Sequence, residues 1–283
     1  MEVYSEKQQI TAALDALKAK KLTVGLVPTM GALHEGHLEL VKKAFENNDR
    51  VVVSIFVNPT QFDNKEDLKK YPRTLDSDLE LLKTVSKDAI LIYAPSVADV
   101  YGDNTVSESF DFDGLEFEME GRFRDGHFNG VGTIVKRLFE IIKPDNAYFG
   151  EKDFQQLQII KKMVEKHHIP VTIVGCDIHR EASGLAMSSR NTRLNPEYKD
   201  AAPFIYKTLT TAKNKFGTKS ANKVQEWVEN QFANHDLLKL EYFIIADTET
   251  LKPVKRKSNN KTYRAFIAAY ADDIRLIDNI ALN

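Results

Sequence analysis

Two histidines three residues apart, His34 and His37, sit in the stretch Pro28-Thr29-Met30-Gly31-Ala32-Leu33-His34-Glu35-Gly36-His37. The apolar run Val24-Gly25-Leu26-Val27 before them reads as a buried strand. Leu38, Leu40, Val41 and Phe45 after them recur at helical spacing. A strand, a glycine-containing turn and two histidines at a helix start form the layout of a phosphate-handling site. The first-turn N–H groups and the positive end of the helix dipole face an anion, and the imidazoles beside them can donate to a polyphosphate. Met30-Gly31 lets the backbone approach such a ligand closely. Taken alone, the histidine pair reads equally well as a hydrogen-bonded cap or a metal site, although it lacks the His-Glu-x-x-His spacing of zinc ligands on one helical face.

Four further groups of residues carry chemistry. Gly150-Glu151-Lys152-Asp153 ends a second apolar run and opens another helix. Lys152 can neutralise a phosphate as a point charge, and Asp153 can accept from ribose hydroxyls; a capping Asp153 beside a solvated lysine is the plainer alternative. Gln155 and Gln156 follow, and buried amides suit a carboxylate or hydroxyl ligand. Met187-Ser188-Ser189-Arg190-Asn191 combines hydroxyls and a guanidinium on a loop containing Gly184. It resembles the loop that closes over triphosphate in class I aminoacyl-tRNA synthetases, and by itself is only a polar loop. Arg122, Arg124 and His127 near a helix start suit an anionic ligand or are simply solvated. Asn58 and Gln61 are the polar groups that follow the next strand. Cys176 has no neighbouring histidine in sequence and reads as a buried hydrophobe, while His167-His168 at a helix end serve its dipole.

The chain that must position these groups has 283 residues, 42% hydrophobic and 28% charged, enough for two ordinary domains around adequate cores. Lys+Arg 39 against Asp+Glu 41 leaves a formal charge of −2, so no global basic field holds nucleic acid and anion binding must be local. One cysteine excludes an intramolecular disulfide framework, and no eighteen apolar residues run together. Both point to a cytoplasmic protein that does not span a membrane. A first helix carries Ile10, Ala13, Leu14 and Leu17. Arg50–Phe56 and Ala89–Tyr93 read as strands, with a helix through Leu75, Leu79, Leu81 and Leu82 between them. Asp99 to Gly121 is read as irregular. A helix from Val131 to Ile142, strand Asn146–Phe149, a helix through Phe154 to Val164 and strand Val171–Val174 complete the alternation. Strand–helix alternation predicts an α/β fold: a Rossmann-like, doubly wound parallel sheet over residues 1–178, with ligands at the C-terminal strand ends. Residues 179–283 read as a smaller α+β domain with helices at about 197–216 and 219–234, then strands around Tyr242–Ile245, Arg264–Tyr270 and Ile274–Ile277.

Several of these motifs together, in order along nearly the whole chain, resemble the pantoate–β-alanine ligase family of the His-x-Gly-His nucleotidyltransferase superfamily. They are Pro28 through His37, Phe56-Val57-Asn58-Pro59-Thr60-Gln61-Phe62, Tyr71-Pro72-Arg73-Thr74, Gly126-His127-Phe128-x-Gly130-Val131, Phe149 through Gln156, and Arg180-Glu181 through Asn191. The resemblance implies condensation of (R)-pantoate with β-alanine, driven by ATP and giving pantothenate, AMP and diphosphate through a pantoyl adenylate. It assigns the ATP site to Met30, Gly31, Ala32, Leu33, His34, Glu35, Gly36, His37, Gly150, Glu151, Lys152, Asp153, His179, Met187, Ser188, Ser189 and Arg190. Of these, His34, His37, Lys152 and Arg190 would carry the catalysis. Gln61, Gln156, Asn58, Arg124 and His127 would bind pantoate or β-alanine. It further implies Mg²⁺ with ATP, a homodimer formed through the N-terminal domain, and a C-terminal lid. Two departures stand out: Asp125 replaces the family's usual proline, and the acidic run Asp76-Ser77-Asp78 has a serine at its centre, leaving Asp78 as the candidate metal ligand. The rival readings are a nucleotidylyltransferase of the same superfamily that consumes no amine, and a noncatalytic nucleotide sensor.

Overall fold

The computed structural model describes residues 1–62 and 65–283. They divide into two compact units, one of Met1–Glu151 with Gln155–Asp177, the other of Lys152–Phe154 with Ile178–Asn283. A boundary drawn in the sequence between 178 and 179 leaves Lys152–Phe154 with the N-terminal part, whereas by their packing they belong to the C-terminal unit. Among the described residues no helix is long and apolar enough to cross a membrane.

The first unit holds strands β1 (Glu2–Tyr4), β2 (Val24–Thr29), β3 (Arg50–Ile55), β4 (Ile90–Tyr93), β5 (Asn146–Gly150) and β6 (Thr172–Cys176). Its helices are α1 (Lys7–Ala19), α2 (Glu35–Phe45), α3 (Lys65–Lys70), α4 (Leu75–Lys83), α5 (Val97–Tyr101), α6 (His127–Ile142) and α7 (Phe154–Lys166). The strands pair in the order β1-β4-β3-β2-β5-β6, each parallel to its neighbour. Parallel strands covered on both faces must be apolar throughout, and β3 meets that demand with Val51, Val52 and Val53 fully buried. Helix α2 turns Leu38, Val41 and Ala44 inward, while Leu40 and Phe45 of the expected stripe are only partly buried against the same core. From β2 the chain winds outward through β3 to β4, then crosses back to β5 beside β2 and winds the other way. The loops after β2, β3 and β5 therefore gather at the reversal of strand order, where a crevice forms in folds of this kind.

The second unit holds α8 (Pro196–Ala201), α9 (Phe204–Thr218), α10 (Ala221–Ala233) and an antiparallel sheet of β7 (Leu238–Asp247), β8 (Tyr263–Ala271) and β9 (Ile274–Ala281), in that order. Ile205, Leu209, Phe216, Val224, Val228 and Phe232 pack against Phe243, Ile245, Ala265 and Ile267 to form its core. Arg264 and Phe266 alternate with that core set and face the other side of β8.

The doubly wound parallel sheet and the smaller α+β part agree with the sequence expectation; three details differ. The predicted helix over 197–216 is two helices, because Pro203 cannot donate into the preceding turn and starts α9 instead. The stretch read as irregular contains α5, capped by Ser96, whose hydroxyl accepts the Asp99 N–H at 3.1 Å, and 3-10 turns at Leu115–Phe117 and Met119–Arg122. The short β1 and α3 carry too few residues to show a period.

Cys176 ends β6 inside the core formed by Val27, Leu38 and Val41, and burial pushes its thiol up to about 11. At pH 8 such a thiol is ~10⁻³ ionised, and thiolate is the reactive form. Alkylation in the native protein should run at least about a hundredfold slower than in urea. Between the ordinary thiol value and about 11 the folded chain keeps a proton that the unfolded chain releases, so stability falls as pH rises through that window. Urea titrations from pH 8 to 11 should show a shallower fall for Cys176→Ala than for the unsubstituted chain.

Candidate active site

The turn after β2 is built on a conformation that L-residues resist. Gly31 has φ +81° and Ala32 φ +51°, and an alanine in the left-handed region costs about 1–2 kcal/mol. Three hydrogen bonds hold it there. Thr29 Oγ1 accepts the Gly31 N–H at 3.2 Å while donating to the Ser54 carbonyl at 2.7 Å. The carboxylate of Asp78, from the first turn of α4, accepts the Ala32 N–H at 3.1 Å and the Leu33 N–H at 2.8 Å. Thr74 Oγ1 donates to the same carboxylate at 3.2 Å, and Asp78 is 2% exposed. This corrects the expectation of Asp78 as a metal ligand: its oxygens face N–H and O–H donors whose positive ends repel a cation. Among the described residues, no group of three His, Cys, Asp or Glu side chains could hold a metal ion.

With the turn fixed, His34 becomes the residue before α2. Its N–H donates to His37 Nδ1 at 3.2 Å, and the two rings lie 4.0 Å apart between centroids. A ring nitrogen that accepts an N–H carries no proton, so the neutral His37 ring bears its hydrogen on Nε2, as a donor. Both histidines thus stand at the start of an eleven-residue helix, where N–H groups and dipole favour anions.

The turn after β3 meets this one. Gln61 Nε2 donates to Met30 Sδ at 3.0 Å, and Gln61 Oε1 accepts from Asn58 Nδ2 at 3.1 Å. Asn58 is 1% exposed and saturated: Nδ2 also donates to the Gly130 carbonyl at 3.1 Å, and Oδ1 accepts from Tyr101 Oη at 2.6 Å and Thr60 Oγ1 at 3.1 Å. Asn58 therefore positions Gln61 and is itself unavailable to substrate, which corrects its placement among the ligand-binding residues. His127 is corrected for the same reason. Its Nδ1–H donates to the Gln61 carbonyl at 2.8 Å, and its Nε2 accepts from Arg124 Nη1 at 3.3 Å. Arg124 also donates to that carbonyl, at 3.5 Å. Gly130 completes the arrangement, since a Cβ there would lie 2.3 Å from the Thr60 carbonyl oxygen and 2.7 Å from Gln61 Cα. A cleft of about 220 Å³ opens beside Gln61, His127 and Gly126, with Glu108 and Asp125 on its wall.

Gln155 and Gln156 divide in the same way. Gln155 is buried, donating to the Leu115 and Glu118 carbonyls at 2.8 and 2.7 Å and accepting the Glu120 N–H at 3.0 Å. It is a clamp on the 115–120 segment, not the ligand-binding amide expected of it. Gln156 is half-buried, with its amide engaged by no described residue. Gly150 ends β5, which pairs with β2.

In the C-terminal unit, Lys152 keeps 18% of its side chain exposed, with Nζ 3.8 Å from the Asp153 carboxylate. Arg180 and Ala186 form an antiparallel bridge, and the Met187 N–H donates to the His179 carbonyl at 3.0 Å. Gly184 takes φ +93° within this hairpin. Arg180 makes a bidentate pair with buried Asp278, at 2.6 and 2.9 Å, and stacks 3.7 Å above the Tyr206 ring. Beyond the hairpin, Ser188 Oγ accepts the Arg190 N–H at 3.3 Å and caps the 3-10 turn Ser189–Arg193. Asn191, 6% exposed, donates to Glu181 Oε1 and the Ala186 carbonyl. Thr29 and Gly130 stand inside motifs legible in the sequence, although their structural roles were not.

A parallel sheet with a histidine-bearing helix start at its strand reversal defines an α/β enzyme built to hold a nucleotide's phosphates. A family model described as pantoate-beta-alanine ligase matches residues 2–281. The pantothenate synthetase of Christiangramia forsetii is 61% identical over 283 residues, covering 100% of both chains. The crystal structure of pantothenate synthetase from Thermus thermophilus superimposes with a TM-score of 0.90 at 38% identity, over 100% of this chain and 99% of that one. The pantoate-beta-alanine ligase of Francisella tularensis, solved with beta-gamma ATP and beta-alanine, gives 0.80 at 35% identity over 100% and 98%. This chain belongs to the pantoate–β-alanine ligase family.

Replacing Asp78 with alanine strands the Ala32 and Leu33 N–H groups. Because a hydrogen bond to a charged group contributes ~1.5–3 kcal/mol, Asp78→Ala should lower unfolding free energy by about 3 kcal/mol. Urea denaturation in EDTA checks this, and a metal-ligand role would instead leave metal-free stability unchanged.

Proposed function

We propose that this chain joins pantoate to β-alanine at the expense of ATP, releasing AMP and diphosphate and forming pantothenate through an enzyme-held pantoyl adenylate. The observation that carries the proposal is the pairing of an anion-ready helix start with Gln61 at 3.0 Å from Met30, in a chain of this family. Pantoate's carboxylate is a weak nucleophile and must approach an α-phosphate that is already negative. The protein's task is therefore to position the two and neutralise charge.

Gln61 is suited to orienting pantoate. Asn58 fixes its oxygen, so its N–H group points at a thioether, a weak acceptor that a carboxylate or hydroxyl oxygen of the substrate displaces readily. Gln156 supplies the second amide, and Arg124 contributes a local positive charge. His37 Nε2–H, His34 and the α2 N–H groups meet phosphate oxygens; Lys152, Ser188, Ser189 and Arg190 stabilise charge as diphosphate leaves. The carboxylate oxygen bonds to the α-phosphorus as the bond to the β-phosphate oxygen breaks. The neutral amine of β-alanine then attacks the acyl carbon, loses a proton, and AMP departs with the carboxyl oxygen. Mg²⁺ accompanying ATP would supply further charge neutralisation, with no described group of three His, Cys, Asp or Glu side chains to hold it. Closure of the Ser188–Arg190 loop in the C-terminal lid keeps water from the adenylate. The same reading has the chain act as a cytoplasmic homodimer.

Single-turnover mixing of enzyme, ATP and pantoate without β-alanine tests this directly: one equivalent of diphosphate should appear, and AMP only after β-alanine is added. His37→Ala and Lys152→Ala should each slow that burst by ~10²–10³, the range for removing one charge-stabilising donor. Gln61→Ala should raise the pantoate requirement more than the ATP requirement. Normal bursts in both charge variants, or AMP release independent of β-alanine, would sink the assignment.

A further inference from the structure

The short turn that carries Lys152 is gripped from one strand pair of the C-terminal unit. Asn279, 2% exposed on β9, donates from Nδ2 to the Lys152 carbonyl at 2.9 Å. Its Oδ1 accepts from Arg264 Nη1 on β8. Arginine has only donors, so Arg264 fixes which way the Asn279 amide faces and sends its N–H towards the Lys152 carbonyl. The Arg264 guanidinium also lies 4.1 Å above the ring of Phe154, and Phe266, directly across the ladder from Asn279, stands 5.9 Å from the same ring. The residue carrying the ammonium and the residue two places on are therefore both held by β8 and β9. Glu151–Asp153 is a three-residue 3-10 turn between the end of β5 and the start of α7, and the Asn279 bond adds a hold on it beyond those two elements. The neighbour of Asn279, buried Asp278, is close enough to feel the Lys152 charge and is itself tied to Arg180.

We propose that Asn279 is a positioning residue for the reaction, aiming the Lys152 ammonium by holding Lys152's own carbonyl, with Arg264 orienting the Asn279 amide. The inference rests on the reading above in which Lys152 stabilises the departing diphosphate. Nothing in the amide touches substrate; it acts through the backbone from which the lysine springs. A lysine side chain has four rotatable bonds, so a root displaced by about 1 Å moves the ammonium off target, an error that can cost ~10²-fold in rate.

The test is a double-mutant cycle. Asn279→Ala and Asn279→Asp are made in the unsubstituted chain and in Lys152→Ala. Asn279→Asp keeps the acceptor for Arg264 but cannot donate to the carbonyl, and it stands in if the alanine variant fails to fold. Each protein is followed by single-turnover diphosphate release, pantoate KM, melting temperature and amide hydrogen exchange of residues 151–154. The expected result is a 10–100-fold slower burst with unchanged pantoate KM, faster exchange at 151–154, and less than about twofold further loss in the Lys152→Ala background, since residues acting through one another are not additive. A normal burst, or the same fold-loss with and without Lys152, overturns the proposal. If the unsubstituted chain releases no diphosphate, the proposed reaction fails; the exchange measurement then still decides the grip, and unchanged exchange at 151–154 overturns it.

Discussion

The carboxylate of Asp78 is the constraint on which the turn after β2 and the start of α2 depend. It lies a whole βα unit away in sequence, yet it accepts the N–H groups of Ala32 and Leu33 and so holds the left-handed backbone of Gly31 and Ala32 in place. That turn decides where α2 begins, which makes His34 the cap and His37 the partner of the cap's N–H. The tautomer of His37, and with it the nitrogen able to donate to a phosphate, follows from a backbone hydrogen bond. A buried negative charge beneath a helix start whose dipole favours anions looks paradoxical. Its charge is turned inward, onto N–H groups that would otherwise be stranded, while the N–H groups of α2 face outward.

Residues of one chemical type do quite different work here according to burial and saturation. Asn58 and Gln61 are three apart, but only Gln61 has an N–H held against so weak an acceptor as a thioether. Gln155 and Gln156 are adjacent, and helical geometry turns the first into the protein and leaves the second half-exposed. His127 has both nitrogens occupied by Arg124 and the Gln61 carbonyl, and His37 Nδ1 accepts the His34 N–H. Each saturated residue orients its neighbour. Preorganised positioning of this kind is what phosphoryl and acyl transfer require, because charge stabilisation has to be in place before the barrier is reached.

The C-terminal unit repeats the arrangement with a different element. Adjacent residues on β9 point to opposite faces of the sheet: Asp278 takes the Arg180 guanidinium at the base of the hairpin leading to Ser188–Arg190, and Asn279 takes the carbonyl of Lys152. One strand thus anchors two segments that the chain order separates. A buried Arg–carboxylate pair adds little net stability over a packed apolar pair, but its bidentate geometry fixes orientation.

Much of this protein was legible in the amino-acid order, because some of its physics is local. Apolar runs of β-branched residues that must be buried on both faces marked the parallel strands, and helical spacing marked α2, α4, α6 and α7. The ordered motifs around His34, Gln61, Lys152 and Arg190 pointed to the ligase family that the full-length relatives establish. What the order of residues could not decide was which polar groups would be consumed by the fold. Asp78 looked like a metal ligand and Asn58 and His127 like substrate-binding groups, because the hydrogen-bond partners of these three lie as far as 72 residues away, as the Asn58–Gly130 contact shows. Asn279 left no mark at all. Its meaning comes from β8 and β9 pairing in a register that sets it against a carbonyl 127 residues away along the chain, and only tertiary structure creates that encounter.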